Sequence, residues 1–198
     1  MRRVLHPRGM LLLMAAFFAA LTLAVILGGA QPADAAARDG LLALATPAVV
    51  AVMRMVTLLG HAWFLVPAML LLFIAIPEAR ARWWVWVALM LVAGLAEQVL
   101  KVAIGRARPF DASFGFPSGH ATAAAAFFGA VIYLAGALPV PARIALRVAA
   151  PLAILLVGVS RVILRAHWPS DVLAGIALGL ALASAAALLG RPPRPVHR

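Results

Sequence analysis

The chain has no cysteine. Disulfides, thiolate metal sites and cysteine nucleophiles are excluded together. Charge is scarce as well: 12% of the 198 residues are charged, with six acidic side chains against seventeen basic ones. A soluble domain carries about a quarter charged residues, so an ordinary water-facing surface is excluded too. No internal repeat and no separate linker interrupts the sequence, which reads as one domain over residues 1–198.

What is present is apolar: 66% of residues are hydrophobic and the mean hydropathy is +1.06. Several runs approach the roughly 20 apolar residues that cross a bilayer. Lipid offers no hydrogen-bond partners, so a spanning chain must be helical or a closed barrel. The runs are continuous rather than alternating, which argues against a barrel. The expected fold is all-α: a polytopic membrane protein with about six transmembrane helices in one bundle and an extra outer-surface helix.

The expected spans are Met10–Leu27, His61–Ile76, Trp83–Ala103, Ser118–Leu138, Ala142–Ile163 and Trp168–Leu189. The first resembles a signal peptide with Ala33-Asp34-Ala35 as a cleavage-like site, but its apolar run is long, and a retained helix is expected. Residues 41–58 contain Pro47 and Arg54 and read as one outer-surface or partly embedded helix. Trp83, Trp84 and Trp86 form an aromatic cluster of the kind found at membrane interfaces. Gly175 and Gly179 make a small-xxx-small pair suited to close packing inside the bundle. Pro139 and Pro141 mark a turn. The segment 190–198, ending RPPRPVHR, reads as a short basic cytoplasmic tail without order.

A net charge of +11 in a soluble protein would suggest nucleic acid; here it is expected to orient membrane helices, with no nucleic-acid partner. With both termini inside, Arg2, Arg3, Arg8, Arg80, Arg82, Arg143, Arg147, Arg191, Arg194 and Arg198 fall in inner segments. Arg38, Arg54, Lys101, Arg106, Arg108, Arg161 and Arg165 fall on the outer side. Orientation does not explain the last five of these, so they require another cause.

Three stretches meet at that outer end: Lys101 through Arg108-Pro109, the turn Pro117-Ser118-Gly119-His120, and Ser160-Arg161 followed by His167 and Asp171. Two of the expected helices begin there, and helix N-termini with free N–H groups bind anions. Ser118 is a natural N-cap, and Gly119 would let a ligand approach the backbone. Lys101 and Arg161 suit the negative ends of the helices that finish there. Arginine offers phosphate two hydrogen bonds at once, and lysine a point charge. Phosphate is the anion these groups fit. His167 and Asp171, four residues apart, share a helix face. A carboxylate on one imidazole nitrogen frees the other for attack or proton transfer, and His120 is a second histidine with which to divide nucleophile and general-acid work.

These residues resemble the signature of the type 2 phosphatidic acid phosphatase family. Its three parts are a lysine, six residues and Arg-Pro; then Pro-Ser-Gly-His; then Ser-Arg, five residues, His, three residues and Asp. All three are found in order and spacing between Lys101 and Asp171. The resemblance implies that His167 attacks phosphorus and forms a phosphohistidine, that Asp171 orients it, and that His120 protonates the leaving oxygen and then activates water. It implies that Lys101, Arg108, Ser118, Gly119 and Arg161 hold the phosphate oxygens, with no metal or other cofactor. The substrate class is a lipid phosphate or pyrophosphate of phosphatidic acid, phosphatidylglycerol phosphate or undecaprenyl pyrophosphate type. The setting implied is a bacterial inner membrane with the site on the outer side. Soluble haloperoxidases carry a similar signature around vanadate, but a chain built almost wholly of spans argues against that use. Phosphotransfer between lipids through the same intermediate, and non-enzymatic anion binding or transport, are the alternatives.

The remaining polar residues read more plainly. Glu97 is expected to pair with Lys101 at i, i+4. Arg106 and Arg165 read as headgroup or rim contacts, Asp111 as a loop-shaping residue, and His61 as a satisfied interfacial histidine. Trp168 is expected to anchor its helix at the interface, and His6 and His197 to be solvated.

Overall fold

The computed structural model describes residues 6–190; the tail at 191–198, His197 and the first arginines, Arg2 and Arg3, lie outside the described residues. Nine α-helices form among the described residues. They are α1 (Pro7–Ile26), α2 (Gln31–Leu42), α3 (Pro47–Val56), α4 (Ala62–Ala75), α5 (Pro77–Ala81), α6 (Trp83–Ile104), α7 (Gly119–Leu134), α8 (Val140–Ile163) and α9 (Pro169–Leu189). The expected all-α class holds. Among the described residues the only extended pairing is a single antiparallel bridge between Ala107 and Phe114.

Five helices are long and apolar enough to cross a membrane: α1, α6, α7, α8 and α9. The sixth expected span, His61–Ile76, is shorter than anticipated. α4 has 14 residues, about 21 Å of helix against a hydrocarbon core of about 30 Å. It stops at Ile76 because Pro77 follows, and the chain restarts as α5 with Pro77 in its first turn.

The outer-surface helix expected over 41–58 is two helices, bent by 112° at the break. Leu41 and Leu42 end α2, which starts ten residues earlier in sequence that carries Asp34, Arg38 and Asp39. Pro47 opens α3, and Thr46 caps it by accepting a hydrogen bond from the Val49 N–H at 3.3 Å. A residue before proline is steered out of the helical region, which is why the run cannot continue. Asp34 on α2 and Thr57 just after α3 both contact residues at the starts and ends of α8 and α9. The pair therefore enters and leaves on one side of the bundle and is not a span. Arg54 is exposed on α3.

The centre of the bundle is the α7–α9 contact. Its buried surface is largely alanine: Ala121, Ala124, Ala125 and Ala126 on α7, and Ala174, Ala177 and Ala183 on α9. Small side chains let helix backbones approach closely where lipid supplies no hydrophobic drive. Gly175 and Gly179 carry this furthest. A Cβ at Gly175 would lie 2.6 Å from the Ser118 carbonyl oxygen and 3.0 Å from Thr122 Oγ1, and one at Gly179 would collide with the Thr122 carbonyl. The expected small-residue contact is thus internal to the bundle. α1 lies along α9, with Leu12, Leu13 and Leu23 turned outward.

At the opposite end of the bundle Arg82 donates to the Leu189 carbonyl (2.9 Å), and Arg143 to the Leu138 carbonyl (3.0 Å). Each satisfies a carbonyl left open where a helix finishes. Trp83 and Trp84 are exposed as expected, whereas Trp86 is buried in the core, because two residues on from Trp84 a side chain points to the opposite side of the helix, the side that meets its neighbours.

Gly175→Val should displace the first turn of α7 and destabilise the protein by about 1–3 kcal/mol. Gly94→Ala on α6, where an added Cβ meets nothing within 4 Å, should melt within a degree or two of the parent. Thermal melts of both variants in detergent check the contrast.

Candidate active site

Two helix starts meet at one end of the bundle. The Ser118 N–H, just ahead of α7, donates to the Asp171 carbonyl in the first turn of α9 at 2.9 Å. That bond joins the second and third parts of the sequence signature directly. Ser118 occupies the N-cap position, but its hydroxyl makes no capping bond. Ser118 Oγ is instead buried without a partner among the described residues. The expected side-chain cap does not form: the Ser118 carbonyl accepts the first helical hydrogen bond from the Thr122 N–H at 2.9 Å, and the hydroxyl is left free for another partner.

The start of α9 arranges the nucleophile candidate. His167 is buried in the loop between α8 and α9. Asp171, in the first turn of α9, is completely buried. Its Oδ2 accepts from the Trp168 N–H at 3.0 Å and stands 3.6 Å from His167 Nδ1. That separation exceeds a hydrogen bond, and His167 Nδ1 has no other partner among the described residues. The two groups face each other at a distance that such pairs close when substrate binds. Burial pushes the His167 imidazole below its ordinary value, and Asp171 pulls the other way with less effect. Arg161 and Arg108 add to the burial.

The cations arrive from three directions. Arg161, in the last turn of α8, donates from Nη1 to Thr57 Oγ1 at 2.8 Å. Among the described residues it has no carboxylate within ion-pair distance. Lys101, in the last turn of α6, pairs with Glu97 as expected. Arg108 lies in the loop after α6; its Nε donates to the Phe114 carbonyl at 3.3 Å, and Asp111 is 3.9 Å away. Asp111 shapes that loop by accepting from the Ser113 N–H at 2.8 Å. His120, in the first turn of α7, is within electrostatic range of Arg161, His61, His167 and Lys101.

Gly119 also makes room for a neighbouring side chain. A Cβ there would sit 2.6 Å from Glu97 Oε1. The space beside this glycine is filled by the Glu97 carboxylate, which reaches the positive start of α7 while pairing with Lys101.

Five residues beyond the expected set stand beside it: Asp34, Ser170, Thr57, Arg106 and His61. Arg106 was expected at the rim. Instead it is largely buried, with Nη2 on Asp34 Oδ2 at 2.5 Å and Nη1 on both Asp171 Oδ1 and Ser170 Oγ at 2.6 Å. Asp34 also accepts from the Ser170 N–H (2.7 Å) and hydroxyl (2.6 Å). Arg106 sits two residues from Arg108, so its sequence position carried a signal, but its two acidic partners are remote in sequence. His61 is likewise at the site: Nδ1 accepts from the Trp63 N–H at 3.3 Å, and its ring centroid is 5.6 Å from that of His120. Trp168 is less an anchor than part of the roof. Its indole donates to the Ala107 carbonyl at 3.3 Å, and the guanidinium of Arg38 lies 5.5 Å from its ring centroid. Arg165 is exposed at the rim, over Phe110. A recess of about 600 Å³ opens between α2, Arg106, Arg108 and Trp168.

The profile of the PAP2 superfamily matches residues 83–192. Phosphatidylglycerophosphatase B of Bacillus subtilis (strain 168) is 34% identical over 84% of this chain and 87% of its own. Lipid A 1-phosphatase of Rhizobium johnstonii is 37% identical, but over 52% of this chain and 47% of the relative. Among solved structures, the fold matches a transmembrane PAP2-type phosphatidylglycerolphosphate phosphatase from Bacillus subtilis with a TM-score of 0.81 and 29% identity. That match covers 94% of this chain and 96% of the other.

Proposed function

The chain belongs to the PAP2 superfamily, and on that premise we propose that it is an integral membrane phosphatase. Its substrate would be a lipid phosphate or pyrophosphate, cleaved through a phosphohistidine at His167. The observation that carries the reading is Arg161, a half-buried cation without a carboxylate partner among the described residues. It stands in the electrostatic neighbourhood of His167 and His120, where two helix N-termini meet. Such a setting demands an anion, and the histidine–aspartate pair supplies the means to attack it.

In the proposed reaction Asp171 faces His167 Nδ1, so the other ring nitrogen attacks phosphorus. The bond from phosphorus to the lipid oxygen breaks as His120 delivers a proton to that oxygen. Water then attacks the phosphohistidine, His120 takes its proton, and the phosphorus–nitrogen bond breaks to release phosphate. Lys101, Arg108, Arg161, the Ser118 hydroxyl and the Gly119 N–H hold the phosphate oxygens. These fixed donors stabilise charge as it develops.

The apolar surroundings support a lipid substrate. A groove of about 470 Å³ runs between α4 and α6, lined by Leu65, Val66, Met69, Met90 and Leu91. It reaches Ala123 on α7, one helical turn past His120. An acyl or prenyl chain can lie there while its headgroup enters the site sideways. Among the named relatives the first substrate to test is phosphatidylglycerol phosphate. Arg8, Arg80, Arg82, Arg143 and Arg147 lie in segments at the end opposite the site. By the positive-inside rule that end faces the cytoplasm of a bacterial inner membrane and the site faces outward.

Purified protein in detergent, with EDTA throughout, should release phosphate from at least one of phosphatidic acid, phosphatidylglycerol phosphate and undecaprenyl pyrophosphate. A soluble sugar phosphate should be poorer. His167→Ala should lower kcat by about 10⁴-fold or more. No release from any lipid, or equal release by the variant, would overturn the proposal.

The pH profile gives a second check. Only neutral His167 is nucleophilic, and burial lowers its affinity for a proton. The acid limb of kcat/KM should therefore fall below the ordinary imidazole value of about 6.5. The same displacement means that the folded state favours the neutral ring. Its stabilising contribution is present above about pH 6.5 and is lost as the pH falls from there through the lowered value. An acid limb above 6.5 would contradict this assignment.

A further inference from the structure

The Asp171 carboxylate is divided between its two oxygens. Oδ2 faces His167 and accepts from the Trp168 N–H, while Oδ1 accepts from Arg106 Nη1 at 2.6 Å. Arg106 is held in turn by Asp34 at 2.5 Å, and both share Ser170. Asp34 is 3% exposed and Asp171 is fully buried. Two buried carboxylates around one guanidinium leave a net negative charge, and the face of Asp171 turned away from Arg106 is the one presented to the imidazole. A buried carboxylate held at one oxygen only can turn about its Cβ–Cγ bond. Held at both, it presents a fixed edge.

We propose that Arg106 and Asp34 are positioning residues for the reaction: Asp34, from α2, fixes Arg106, and Arg106 fixes the Asp171 carboxylate so that its second oxygen stays aimed at His167. The inference rests on the reading of His167 as nucleophile. It makes α2 a working part of the site, since the only acidic member of the relay outside α9 is carried by that helix. Neither residue touches the phosphate; both act through Asp171.

A plain structural clamp would hold α2 against α9 equally well, so the test must read the charge on the imidazole. The other charged and titratable groups facing His167 are Arg161 from α8, Arg108 and Asp111 from the loop after α6, and His120 from α7. None of them is altered in the variants below. Arg106→Gln removes a cation from Asp171 and leaves the whole carboxylate to stabilise an imidazolium. Asp34→Asn frees Arg106 to act on Asp171 undivided and removes an anion from the neighbourhood. The two variants should therefore move the acid limb of kcat/KM in opposite directions.

The experiment is a set of pH–rate profiles on the full-length protein in detergent, using phosphatidylglycerol phosphate, with a thermal melt for each variant. Arg106→Gln should raise the acid limb by about one pH unit and lower kcat by about 10²-fold, with KM within about twofold. Asp34→Asn should lower the acid limb. Arg106→Lys, which keeps the charge without the fork, should return the limb to the parent position. Limbs unmoved in folded Arg106→Gln and Asp34→Asn, or moved in the same direction, would overturn the proposal. So would loss of the fold in both, which would assign the network to structure alone; if one variant unfolds, the other decides. The His167→Ala control separates the two inferences. If it stays active, the nucleophile assignment fails; if it is inactive while the relay variants keep the parent profile, only the relay fails.

Discussion

One backbone hydrogen bond governs the rest: the Ser118 N–H on the Asp171 carbonyl. It can form only because α7 and α9 lie close enough for their first turns to touch. That closeness depends on alanines along both helices and on two glycines in α9. Parallel helices side by side with both positive ends together repel each other. The arrangement is therefore favourable only where something negative meets the paired ends. Glu97 at the start of α7 and Asp171 within the start of α9 supply part of that charge from the protein itself. The remainder is what a phosphate would bring.

The scarcity of acidic residues takes on meaning in this light. Of the six in the chain, Asp34, Glu97, Asp111 and Asp171 stand at the site end, each against a cation or a helix start. Burying an unpaired carboxylate costs several kcal/mol, so the placement of the three buried ones, Asp34, Glu97 and Asp171, is narrowly constrained. Arg161 is the exception: among the described residues its neighbours are a threonine hydroxyl and two histidines, not a carboxylate.

Much of this is legible in the sequence. The motif residues Lys101, Arg108, Ser118, His120, Arg161, His167 and Asp171 do gather at one end, because alternating span directions force their loops together. His167 and Asp171 do face each other at 3.6 Å, but not across a shared helix face as their i, i+4 spacing implied. α9 begins at Pro169, so His167 lies in the loop, and the extended backbone at Trp168 turns the imidazole toward the first turn. What escaped was carried by segments without strong periodicity. Asp34 contacts Ser170 across 136 residues, and its helix is too polar to register as apolar and too short to register as amphipathic. Arg106 was misjudged for the same reason: its partners cannot be found by spacing. The break at Pro47 was visible as a proline, yet the apolar character of the surrounding run hid it. The Ser118 hydroxyl shows the converse error. The local pattern for a capping serine was correct, and tertiary packing overrode it.

The shortness of α4 has its own consequence for the surrounding lipid. A hydrophobic segment that falls short of the bilayer is accommodated by local thinning or by drawing polar groups inward. α4 forms one wall of the groove that reaches Ala123, one helical turn past His120. At that wall thinning would bring the headgroup layer nearer to His61 and His120, so that under the proposed function a lipid would present its phosphate without being lifted out of its leaflet. The bilayer would then be shaped by the protein at the wall where the proposed substrate enters.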